Sequence, residues 1–296
     1  MLRSQLCSAE SLRSDELRIW AQRLRAVWDR SGADGRDVML HRKMWEWLFI
    51  IEALHERGML APGRRGLGFG VGQEPLVAFF AAEGCDLVAT DQPHELAVSS
   101  GWTESSLEWA GGLERIPTHG LVSDAELAQR VVYRDVDMNH IPVDLRGFDF
   151  AWSSCALEHL GTLAAGADFV LAQMECLRPG GVAVHTTEYL LSSGGGSSPS
   201  STVEEGGTVF YRRSDIGALV DRLQRAGHSI DMDYTLGTTP DDLHVDVPPY
   251  TDVHLRTQLG EYVTTSVALI VSKGPTTASS LSNQRRGRHG WRRQRG

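Results

Sequence analysis

The sequence predicts an α/β fold: a doubly wound, seven-stranded, mostly parallel sheet with an antiparallel last strand, preceded by an N-terminal helical cap. Three observations carry this. Between residues 61 and 273, short apolar strand-like runs alternate with helical stretches. The run from Arg64 to Pro75 has glycine at 66, 68, 70 and 72, which weakens a strand interior but suits a strand's end and the tight turn after it. Finally, Tyr262–Val271 is an unusually regular β-branched run near the end of the globular region.

Residues 1–60 read as the helical cap. Leu12, Leu17, Ile19, Trp20, Leu24, Val27 and Trp28 recur among Arg, Asp and Glu with helical spacing, and Ser31–Gly35 breaks the pattern. A second helix is expected over His41–Leu54, rich in aromatics and ended by Gly58. The core is expected over 61–273. Pro75 suits a helix start, Leu76–Ala82 continues as a buried helix, and Asp86–Asp91 reads as a second strand ending in an acid. Arg130–Arg134, Phe148–Ser154 and Val182–Tyr189 read as strands three to five. Ile230–Thr235 and Tyr262–Lys273 are expected to be the last two, paired as a hairpin. Residues 190–208, with their Ser/Gly run, read as a flexible loop, and 236–261 as an insert in that hairpin. Residues 274–296 read as a disordered basic tail.

Composition bounds the partners. The chain has 296 residues, 41% of them hydrophobic, and a formal net charge of −9. Six of its 29 basic residues are arginines of the tail, which has no acid, so the body is more acidic than the total suggests. An acidic body makes nucleic acid an unfavoured partner. No run has the length of a membrane span or the apolar core of a signal peptide. The cysteines at 7, 85, 155 and 176 form no C-x-x-C pair, and a reducing, cytoplasmic setting is the expectation.

Strand, glycine turn, helix, strand and acid make up half of a nucleotide-binding unit. The dinucleotide pattern G-x-G-x-x-G nevertheless fails in every register, because its sixth place is Val71, Gln73 or Pro75. Glu74 stands where a helix start would bind phosphate and would repel it. A cofactor with a cationic group and no phosphate fits better.

With those residues in view, the chain resembles the class I S-adenosylmethionine-dependent methyltransferases. Gly68, Gly70 and Gly72 resemble the family's glycine loop, and Asp91 its ribose-binding acid, with Gln92 beside it. Asp137-Met138-Asn139-His140-Ile141-Pro142 resembles the adenine segment. Phe148–Leu160 is similar to the fourth strand with its Glu-His-Leu turn, and Leu177–Gly181 to the turn before the fifth strand. The resemblance implies S-adenosylmethionine as cofactor, held by these residues and by Ser153. One departure concerns the acid the family has two residues before the first loop glycine; Gly66 stands there. We expect Glu74 to supply the carboxylate for the methionine ammonium instead.

The implied function is methyl transfer to a small polar acceptor, with O-methylation of a sugar or natural product as the preferred chemistry. N- or C-methylation, or a non-catalytic cofactor-binding or partner protein, are the alternatives. His159 and His185 are the expected bases. Glu188, Tyr189, His244 and Asp246 are expected to bind substrate. His244, Asp246 and His254 could ligate a metal with His185 or Glu188, but no metal is assigned.

Overall fold

The structure, a computed structural model, describes residues 1–28, 39–103, 108–193, 204–205, 207–250 and 253–275. All but the first two residues of the tail expected over 274–296, and most of the expected 190–208 loop, lie outside the described residues. The strands are β1 (Ser4–Leu6), β2 (Arg65–Phe69), β3 (Asp86–Asp91), β4 (Val131–Asp135), β5 (Phe148–Ser154), β6 (Leu177–Ser193), β7 (Glu204–Glu205), β8 (Thr208–Val209), β9 (Met232–Asp233), β10 (Thr257–Leu259) and β11 (Tyr262–Ser272). The helices are α1 (Ala9–Leu12), α2 (Asp15–Arg23), α3 (Arg25–Trp28), α4 (Arg42–His55), α5 (Leu76–Ala82), α6 (His94–Ser99), α7 (Asp124–Arg130), α8 (Leu163–Gln173), α9 (Arg213–Arg225) and α10 (Pro240–Leu243).

The main sheet runs β4-β3-β2-β5-β6-β11-β1-β9, with β10 paired to β11, so it has nine strands rather than seven. From β4 to β6 the strands are parallel, and β11 is antiparallel to β6. The expected last hairpin is corrected: β9 and β11 are separated by β1, which pairs antiparallel with β11 and parallel with β9. Helical periodicity hid this strand because Ser4–Leu6 is only three residues long and the helical spacing begins beyond it, at Ala9. Ser4 and Leu6 are buried, and the Ser4 hydroxyl accepts the Ile270 amide at 2.9 Å.

The N-terminal region is therefore built into the core. In α4 all residues from Met44 to Leu54 are buried. Apart from Glu46 and Glu52 they join Trp20, Phe80, Phe150, Trp152, Val184 and Ile270 in one hydrophobic cluster. The opposite face of the sheet packs Leu67, Phe69, Ala151 and Val267 with Phe169 of α8 and Leu219 and Leu223 of α9. At the amino end of β5, Asp149 binds Arg64 at 2.9 Å, Arg178 at 2.6 Å and the Arg65 amide at 2.8 Å. These bonds tie three segments together far from the carboxyl edge.

The absence of an acid at position 66 has a steric explanation. A Cβ on Gly66 would lie 2.4 Å from the Phe150 ring and 2.8 Å from Leu87. The place belongs to the aromatic layer of Phe80, Phe150 and Trp152, whose rings meet at 4.9–5.8 Å. Gly66→Ala should cost roughly 1–3 kcal/mol by overpacking, read in urea unfolding. Phe150→Leu in the same chain should recover part of that loss, and purely additive effects in the double variant would contradict the steric account.

Candidate active site

The strand order reverses between β2 and β5, and in open parallel sheets ligands bind in the crevice outside the carboxyl ends at that point. The turn leaving β2 is made by Gly70 and Gly72, with φ of 56° and 50°, a region where a side chain is strained. A Cβ on Gly70 would also approach Ala156 to 2.8 Å. Asp91 ends β3 beside this turn. Its Oδ2 accepts the Gly72 amide at 3.1 Å and the Ala110 amide at 3.0 Å, and Oδ1 accepts the Gln92 amide at 2.8 Å. Burial raises its carboxyl and these three donors oppose that rise. The Trp109 indole donates to the Gln92 carbonyl at 2.9 Å, so the Trp109–Ala110 segment is strapped across the end of β3.

A second group comes from the first turns of α4 and was not singled out from the sequence. Lys43 Nζ lies 2.9 Å from Glu46 Oε2 and 3.2 Å from Glu74 Oε1, and 3.4 Å from Ser154 Oγ. Arg42 is ion-paired with Glu188 of β6. Glu46 is wholly buried. Its Oε1 accepts the Ser266 hydroxyl at 2.5 Å and the Cys155 thiol at 3.1 Å. Burial alone would raise the Glu46 carboxyl, but Lys43, Arg42 and Ser266 bring it down to about 2. The available signal was four polar residues, His41, Arg42, Lys43 and Glu46, opening a helix that is otherwise almost wholly apolar.

The loop after β5 supplies the third group. Cys155 takes a left-handed φ of 46°, and its amide donates to the Thr186 carbonyl at 3.1 Å. Glu158 accepts the Thr187 hydroxyl at 2.9 Å, and burial together with Glu188 pushes its carboxyl up to about 7. His159 sits edge-on to Trp102, with ring centroids 4.7 Å apart. Burial and Lys43 push its imidazole down to about 4, which keeps it neutral at neutral pH.

Several expected site residues are not brought to the crevice. His185 is fully buried against Phe169, with Nδ1 2.8 Å from the Ser153 hydroxyl, and burial pushes it down to about 3. Neither side chain reaches solvent, so the structure does not bring the expected base His185 and cofactor ligand Ser153 to the open crevice. Their strands alternate, and these positions point into the α8 layer. Tyr189 belongs to that layer too, so of the Glu188–Tyr189 pair only Glu188 meets Arg42 and the crevice. His244 is exposed while Asp246 is buried, its Oδ2 2.6 Å from His254 Nδ1. His254 in turn stacks on His41 at 4.4 Å, so Asp246 buttresses the start of α4. Among the described residues, His244, Asp246 and His254 form no metal-ligand group with either His185 or Glu188. Met138 is buried near Gly70, and Asp137 holds the Asn139 amide at 2.8 Å and His140 Nδ1 at 2.6 Å.

Strand order, antiparallel β11, glycine turn and strand-end acid together decide the architecture. The fold is a doubly wound, Rossmann-like α/β sheet with an antiparallel strand beyond its parallel half. No protein-family model matches the chain, and no curated protein matches it. Among solved structures it is similar to the 4+2 cyclase SpnF, at 16% identity over 77% of this chain and 82% of that one, with a TM-score of 0.47. An S-adenosylmethionine-dependent methyltransferase from Mesorhizobium loti shares 14% identity over 75% and 96% of the two chains, with a TM-score of 0.44. Phosphoethanolamine N-methyltransferase 2 from Haemonchus contortus, in complex with S-adenosyl-L-methionine, shares 12% over 77% and 53%, with a TM-score of 0.43. These similarities are loose, and the fold stands on its own strand order and register.

The depressed Glu46 carboxyl links stability to pH. A carboxyl near 4.5 when unfolded and about 2 when folded contributes stability that is present above about pH 4.5 and lost as pH falls toward 2. The contribution is on the order of 3 kcal/mol. Glu46→Gln should destabilise the protein by a comparable amount at neutral pH, since Lys43 then loses a buried partner. It should also flatten the acid limb of urea-unfolding free energy between those pH values. An acid limb as steep as in the parent protein would remove Glu46 from this role.

Proposed function

We propose that this chain is an S-adenosylmethionine-dependent methyltransferase acting on a small polar acceptor, with O-methylation of a sugar or natural-product hydroxyl as the preferred chemistry. The observation that carries the reading is the ammonium contact at the glycine turn. Glu74, expected to hold the methionine ammonium, already holds the ammonium of Lys43 at 3.2 Å, beside the Ser154 hydroxyl. The donor set therefore suits the cationic end of that cofactor. Asp91 at the end of β3 suits a ribose, and buried Met138 beside Gly70 offers an apolar wall for adenine.

The cofactor supplies an activated methyl group; the protein's part is to bind, orient and exclude water. Glu74 would take the ammonium after Lys43 withdraws. Asp91 would accept ribose hydroxyls in place of the Ala110 amide, each such bond to a charged acceptor contributing roughly 1.5–3 kcal/mol. His159, neutral and half-buried at the rim, is the residue we assign to accept the acceptor's proton. The two internal contacts, Lys43 on Glu74 and Ala110 on Asp91, also favour a second reading, a cofactor-binding protein without turnover.

Calorimetry with S-adenosylhomocysteine tests the proposal. Binding at micromolar levels or tighter is expected, weakened at least about tenfold, or about 1.4 kcal/mol, by Glu74→Gln. Asp91→Asn should weaken it similarly. A folded parent protein with no measurable heat or affinity for this ligand would overturn both readings. Binding without methyl transfer to any hydroxyl acceptor would select the second.

A further inference from the structure

We propose that Cys155, Glu158 and Glu188 form a divalent-cation site of mixed thiolate and carboxylate donors at the carboxyl edge of β5 and β6. Ligand atoms from the three residues all lie within 4.8 Å of one another. Cys155 and Glu158 come from one tight turn after β5, and Glu188 from the neighbouring strand, so the set spans two elements that the sheet holds in register.

Acidic residues gather in many places without a cation, and two features distinguish these. Glu158 is 1% exposed and Glu188 4% exposed, yet Glu158 Oε1 and Glu188 Oε2 have no hydrogen-bond partner. A buried carboxylate oxygen left without a donor is costly, and native structures seldom keep two together. The other oxygen of each is engaged, by Thr187 and Arg42 respectively, so each carboxylate is fixed in orientation with one oxygen left over.

Charge points the same way. The charged groups around the cluster are Glu46, Glu74, Glu158 and Glu188 against Arg42 and Lys43. Acids outnumber bases around the cluster, and the Cys155 thiolate would add to that excess, so a divalent ion among these donors would offset negative charge that Arg42 and Lys43 leave unbalanced. A thiolate among the donors selects zinc or ferrous iron over magnesium or calcium, which prefer all-oxygen shells. Binding breaks the S–H bond that now points to Glu46, forms the sulfur–metal bond, and releases the proton to solvent. The site does not depend on the methyl-transfer reading.

Cobalt(II) tests it in the intact chain after treatment with a chelator. One equivalent should bind at micromolar levels with a near-ultraviolet thiolate-to-cobalt band and release of protons. Cys155→Ser should abolish the band, and Glu158→Gln should weaken binding by roughly tenfold or more, the loss that even an outer-shell change can bring. Zinc should also protect Cys155 from iodoacetamide, read by mass spectrometry on the unmutated protein. No uptake at micromolar cobalt, a band retained in Cys155→Ser, or alkylation of Cys155 unaffected by zinc would each overturn the site.

Discussion

The structure depends on two cations, Arg42 and Lys43, held where α4 meets the carboxyl edge of the sheet. Between them they contact acids from α4 itself, from the turn after β2 and from β6. Charges at such depth are tolerated only when the set is complete, because removing one partner strands another in a medium that solvates it poorly. Glu46 shows how far this has gone: it is wholly buried, yet ionised, with Lys43, Ser154, Cys155 and Ser266 around it. The network fixes the position of α4 relative to β5, β6 and β11. It adds directional contacts to the close apolar packing that α4 makes with the sheet.

The N-terminus adds a second constraint on the same helix. β1 wedges between β9 and β11, and the buried run of α4 follows within the same cluster as Trp20 and Leu24. His41 stacks on His254, which is held by Asp246. Segments distant in sequence thus converge on one turn of helix. The insert expected in a hairpin finds its role here, as an outer support for the start of α4.

Local patterns made the parallel half of the sheet legible. Glycine before an apolar helix, an acid closing a short strand, and the Glu-His-Leu turn are signals carried by adjacent residues, and each is found where the sequence placed it. The extra strand was not legible, since Ser4–Leu6 is too short to show a period and its partners lie more than 220 residues away. Side-chain direction was equally hidden. His185 and Glu188 are three residues apart in one strand, which places them on opposite faces, and only the sheet's layers tell which face is the crevice. The charges of α4 were visible as letters but not as a site, because nothing local says that a helix start is buried against acids from other segments.

The same network bears on how a ligand could enter. Withdrawing Lys43 from Glu74 without replacement would leave a buried carboxylate, which burial already drives toward its neutral form. A ligand that brings its own ammonium makes the step an exchange of like for like, so only the difference between the two bound ammonium groups enters the equilibrium. A neutral or anionic ligand has no such exchange and meets the full cost of opening the pair. On the proposed function the crevice would thereby select for charge, and Glu74, already paired with an ammonium, is the residue through which it would do so.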